Sequence, residues 1–234
     1  MVPQDLLQPS VSIGSLVINE PVTMLSDFLI SLICLISFFR IKAEHFSARN
    51  NLYVLAFFFF MFFSTFWGGL AGHGLQYYLS PAWKIPSWLS GMLAVVSFQL
   101  IAAKQIKELK PGFLFQGLIF LNLLSFLTTI YLVFVLRVFV WVQFHAVLGI
   151  LFVVLPIQVH LYRRTASLSS KKIMYGISFA ILAALVHMLF LGFNKWFNHA
   201  DISHVLLAIS NWFFYVGLRS LLSVESEREI NFAT

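Results

Sequence analysis

The densest group of chemically capable residues is the run His199-Ala200-Asp201-Ile202-Ser203-His204. Asp201 and His204 stand three apart, a spacing that puts both on one face of a helix, and Asn211 continues the His204 face one heptad deeper. Neutral imidazole with carboxylate is a ligand set that zinc accepts, and a catalytic zinc needs three protein ligands with one position left open. The spacing differs from His-Glu-x-x-His, and Asp201 is equally well placed to cap the start of a helix. A second pair, Glu20 and Asp27, lies seven residues apart and returns to one helix face. His73, His145 and His187 stand singly among apolar residues. For His145 and His187 the plain reading is an interhelical hydrogen bond, and the sharper one is a pair of axial haem ligands inside a bundle. His199 reads as an interfacial loop residue or as a ligand.

Residues so dispersed need a scaffold that brings them together, and composition names its kind. Of the 234 residues 60% are hydrophobic and 10% charged, against about 45–50% and about 25% in a soluble domain. Apolar windows of about 20 residues fall at 22–39, 52–75, 87–103, 113–133, 139–160, 173–193 and 202–222. The Phe- and Leu-rich runs do not alternate as barrel strands do, and in lipid a lone strand cannot satisfy its backbone, so each window predicts a helix. The expected fold is all-α, a seven-transmembrane helix bundle. Arg137 is the single charged break between the fourth and fifth windows. Residues 1–18 read as an extracytoplasmic segment, 19–222 as one membrane domain and 223–234 as a cytoplasmic tail. The single cysteine, Cys34, cannot form an intrachain disulfide. No basic region precedes the first apolar run, so no removable signal peptide is expected.

Loop charges set the orientation. Arg40, Lys42, Arg49, Lys104, Lys107, Lys110, Arg163, Arg164, Lys171, Lys172, Arg219 and Arg228 fall at one end of the predicted bundle, and Lys84, Arg137 and Lys195 at the other. The rule that basic loops stay inside predicts an outer N-terminus and a cytoplasmic C-terminus, in a multi-pass membrane protein of the plasma membrane if the source is bacterial. The formal charge of +6 is then topology, and no nucleic-acid partner is expected. Trp83, Trp88, Trp196, Tyr77 and Tyr78 fit an outer aromatic belt. With depth assigned in this way, Glu20, Asp27, Asp201, His73, His145, His187, His199 and His204 share the outer half, whereas His45 and His160 lie on the cytoplasmic side. Ionisable groups are costly in a membrane and face the bundle interior, which makes the outer half the expected site.

The opening of the first span, Asn19-Glu20-Pro21-Val22-Thr23-Met24-Leu25-Ser26-Asp27, resembles the Glu-Pro-x-Asn-x-x-Ser-Asn opening of bacterial alkaline ceramidase-like proteins. These belong to the CREST superfamily of seven-span membrane hydrolases, with the progestin and adipoQ receptors. The resemblance implies a zinc-binding histidine in the second span, matched by His73, a last ligand matched by His204, and an acid before the first span matched by Glu20. The superfamily pairs two histidines four apart in its seventh span, but position 200 is Ala200, so the remaining ligand is expected to be His199 or Asp201. Gly69 stands where the superfamily has a serine, and no acid follows His73 in the next loop.

Three functions follow as expectations. A zinc-dependent hydrolase would hold the metal on His73, His204 and one of His199 or Asp201, with Asp27 passing a proton to the leaving group, and lipids would enter laterally as substrates for amide or ester cleavage. A b-type haem protein would use His145 and His187; there is no Cys-x-x-Cys-His for covalent haem. A receptor or transporter would bind without chemistry, but the apolar cytoplasmic half suits a one-sided pocket better than a conduit. Oligomeric state is not set by these patterns.

Overall fold

A computed structural model describes residues 7–46, 51–107 and 112–233. Arg49 and Lys110, which enter the charge pattern above, lie outside the described residues, as do the side chains of Lys107 and Arg228. A short hairpin, β1 (Val11–Ile13) and β2 (Leu16–Ile18), precedes the helices α1 (Pro21–Ala43), α2 (Asn51–Trp67), α3 (Ile85–Lys107), α4 (Gly112–Leu136), α5 (Val140–Val147), α6 (Leu155–Thr165), α7 (Leu168–Met188) and α8 (His199–Ala233). α2 runs on as a π-helix over Gly68–Gly74, and a second π-helical segment, Leu148–Val154, joins α5 to α6 into one rod. Among the described residues the fold is all-α apart from the hairpin, and seven helical rods are long and apolar enough to cross a membrane.

Both π segments have local causes. Gly68, Gly69, Gly72 and Gly74 deprive the end of α2 of helix propensity. Pro156, at the start of α6, lacks an N–H and its ring presses on the carbonyl four residues back, which loosens the turns before it. The break at Arg137 is the turn between α4 and α5, where Arg137 takes a left-handed φ of 52°.

The sixth rod differs from its hydropathy window, beginning at Leu168 and ending at Met188. Ser167 Oγ accepts from Ser170 N at 3.3 Å and caps its start. Leu189, Leu191 and Phe193 are apolar but lie exposed in the loop that follows. His187 therefore stands at the end of α7.

α1 packs against α2 on one side and α8 on the other, α7 covers α8, and α3 joins α2 to α4, α5 and α6. Small residues allow α7 and α8 to lie close. Ser210 Oγ donates to Gly176 O at 2.8 Å and Ser203 Oγ to Ala183 O at 3.0 Å. Midway along the bundle Phe57, Phe98 and Phe214 form a ring cluster with centroids 4.9–5.9 Å apart. Cys34, Ile30, Phe58 and Leu218, all buried, belong to the same core.

Candidate metal centre

The buried stripe of α1 runs Thr23, Ser26, Asp27, Ile30, Ser31 and Cys34, the spacing of one helical face. It meets the π segment at Gly69. A Cβ added there would lie 3.0 Å from both Asp27 Cβ and Met24 O, so glycine is what lets the backbone of α2 come down onto Asp27. Gly74 ties the two elements again, its carbonyl accepting from Asn19 N at 3.0 Å. This close approach brings His73, one residue before Gly74, onto the acidic face of α1. From the opposite side α8 presents His204.

Asp27, His73 and His204 each turn one ligand atom inward, and the three atoms lie within 4.8 Å of one another. His73 Nε2 is 3.8 Å from Asp27 Oδ2, and His204 Nε2 is 3.6 Å from Asp27 Oδ1. The other nitrogen of each ring is engaged. Ser26 Oγ donates to Thr23 O at 2.9 Å, so it accepts from His204 Nδ1, also at 2.9 Å. His73 Nδ1 hydrogen-bonds Glu20 Oε2. With protons on both Nδ1 atoms, two Nε2 lone pairs face the two oxygens of one carboxylate, beyond the roughly 3.2 Å reach of a good hydrogen bond. Three such atoms converging in a partly buried position form a face that a cation satisfies. Zinc at about 2.0–2.2 Å from tetrahedral ligands holds them roughly 3.3–3.5 Å apart, so the three atoms, now within 4.8 Å of one another, would draw together around it. The carboxylate and hydroxyl behind the imidazoles are the partners that fix ligand orientation in metal sites.

Glu20 stands outside the spans. Burial alone would raise its pKa, but the hydrogen bond and charge of His73, with Lys84 and Gln76, outweigh that and hold it below the usual carboxylate range. Gln76 Nε2 donates to Glu20 Oε2 at 3.3 Å, and Lys84 Nζ to Gln76 Oε1 at 3.4 Å. A polar chain thus leads from the loop to His73.

Asp201 and His199 lie apart from this group. Asp201 Oδ1 accepts from Thr23 Oγ1 at 2.8 Å, and its Oδ2 from Asn198 N at 2.8 Å and Gln8 Nε2 at 3.3 Å. Its carboxylate is thus occupied as a bracket between α1, α8 and the N-terminal segment. Asn198 is the cap, its Oδ1 accepting from Ala200 N at 2.8 Å and Asp201 N at 3.4 Å, and Asp201 reaches back from the third position to complete a capping box. The sequence placed the cap at Asp201 because it placed the helix start at residue 202. His199 packs its ring against His187 at 5.1 Å and Phe190 at 5.0 Å. Asn211 turns away from the histidines, donating to Leu207 O at 2.9 Å.

Of the other two outer-half histidines, His145 is fully buried beside Ser125 and Phe126 of α4, whereas His187 contacts His199 of α8. They share no partner residue. Gln8 is the contributor that sequence reading missed. Its Oε1 accepts from Val22 N at 2.9 Å and Thr23 N at 3.2 Å, capping α1 from a distant segment because Glu20, at the cap position, gives no side-chain bond. Only local caps carry a sequence signal, so no spacing rule could find it.

Residues 22–223 match the model of a family of unknown function, DUF6962. The chain belongs to the DUF6962 family. No curated protein and no solved structure gives a significant match. The DUF6962 stretch holds Asp27, His73 and His204, whereas Gln8, the hairpin and Glu20 precede it. The family description carries no activity.

Proposed function

We propose that the protein is a multi-pass membrane hydrolase that holds zinc on Asp27, His73 and His204 and cleaves an amide or ester bond, most naturally of a lipid. The observation that carries the reading is the convergence of the His73 and His204 Nε2 atoms on the Asp27 carboxylate, each ring hydrogen-bonded from behind by a polar partner. The resemblance to the CREST superfamily supports it through His73, His204 and Glu20, with Asp27 supplying the acidic ligand where position 200 is alanine. Zinc in such a set supplies Lewis acidity and brings the pKa of water from about 15.7 toward about 7.

The chain's own residues supply the rest. Asp27 balances charge and accepts two directions of approach through its two oxygens. Ser26 keeps the His204 proton on Nδ1. Glu20 engages His73 Nδ1, and its position between His73 and the Gln76–Lys84 chain suits it to passing a proton outward. The loop charges support a non-cytoplasmic position for this end. The aromatic core beneath it favours a one-sided pocket over a conduit.

Metal analysis of the purified protein tests this directly, with about one zinc per chain expected and less than about a tenth of that after His73→Ala or His204→Ala. Release of fatty acid or amine from a panel of lipid amides and esters should stop with a chelator and return with zinc. Zinc binding without turnover on the panel would support a receptor instead, and protein that holds no zinc, with both alanine variants as stable as wild type, would end the proposal.

A further inference from the structure

At the end of the bundle remote from Asp27, α1 and α8 part to leave a crevice of about 570 Å³ lined by Arg40, Ala43, Glu44, Trp212, Tyr215 and Arg219. Arg219 Nε donates to Glu44 Oε1 at 2.6 Å, which fixes the guanidinium plane and neutralises the one carboxylate present. Among the described residues, Arg40 and the terminal nitrogens of Arg219 have no hydrogen-bond or ion-pair partner. The crevice therefore keeps one net positive charge and a set of uncommitted guanidinium donors, the geometry that grips phosphate oxygens.

Its surroundings are amphipathic in the matching sense. The exposed stripe Leu25, Leu29, Leu32, Ile36 and Phe39 descends α1 to Arg40, and Val205, Ile209 and Trp212 descend α8 toward Arg219. The Trp212 and Tyr215 rings lie 5.4 Å apart at the level where apolar surface gives way to charge, as aromatic side chains do at a head-group boundary. Basic pockets between helices at such a level take anionic lipid head groups.

We propose that this crevice is a binding site for the phosphate of an anionic phospholipid, gripped by Arg40 and Arg219, with Glu44 positioning Arg219 and the acyl chains lying along the stripes of α1 and α8. The proposal rests on the membrane-spanning reading and is independent of the metal. Glu44 is already committed to Arg219, so a zwitterionic lipid would find no anion for its ammonium group.

The test is delipidated protein re-equilibrated with equal amounts of phosphatidylglycerol and phosphatidylcholine, the retained lipid being counted by native mass spectrometry. Phosphatidylglycerol should be enriched about tenfold in wild type and not at all in the Arg40→Gln/Arg219→Gln double variant. Arg40→Gln alone, which breaks no contact within the protein, should lower the enrichment about threefold and guards against a folding artefact. Excess inorganic phosphate should leave the lipid in place. Equal retention of both lipids by wild type, enrichment that survives in the double variant, or displacement by inorganic phosphate would each overturn the assignment. Resistance to carbonate extraction, scored on the same membranes, tests the spanning reading separately.

Discussion

Glu20 shows how one residue beside the candidate site can couple folding to pH. Its carboxyl is held below the usual range by its partners, so the folded state binds its proton more weakly than the unfolded state does. The stabilisation is therefore complete above the unfolded value of about 4.3 and is lost as pH falls through the lower folded value. Thermal melts of wild type and Glu20→Gln should differ at neutral pH and converge in acid, and a gap that stayed constant across this range would assign Glu20 no such role. At this scale the sequence was partly legible. It exposed Asp27, Glu20, His73 and His204 as polar groups at one depth, because depth follows from position along a helix. It could not separate Asp27 from Asp201, because rotation about each helix axis depends on partners far away in the chain: Asp201 meets Thr23 across 178 positions and Gln8 across 193.

Among the elements, the π-helical end of α2 controls where His73 stands. Its register depends on contact at Gly69, where an added methyl would meet backbone as well as side chain. Gly69→Ala should cost about 1–3 kcal/mol of stability and weaken zinc binding about tenfold or more. Gly72→Ala, on the same segment but facing open space, should leave both nearly unchanged, and equal losses from the two would show that the close contact at Gly69 has no special part. Element existence was legible because long apolar runs admit only helices in lipid. Element ends were less so: Leu189, Leu191 and Phe193 carry the hydropathy of a span and the structure of a loop, since hydropathy reports the surroundings of a segment and not its backbone hydrogen bonds. The π segments left their mark as glycine and proline without revealing the wider turn.

For the whole molecule, the decisive question is which end faces the cytoplasm. A membrane-impermeant amine reagent applied to intact cells should modify Lys195 and spare Lys42, both of which are exposed; the reverse pattern would turn the bundle over and put the centre inside. The all-α bundle follows from composition alone, whereas the pinning of the N-terminal segment by Gln8 does not, because it depends on a residue pair joined only once the bundle has closed. That pairing has a consequence for biosynthesis. The ribosome delivers Asp27 and His73 early, but His204, whose ring leans on Ser26, follows 178 residues after that serine, and Asp201, which braces Thr23, arrives with it. A nascent chain lacking its final helix offers two ligands, too few for tight zinc capture. On the proposed zinc reading, metallation is reserved for finished polypeptides, and truncated products should leave the translocon unloaded.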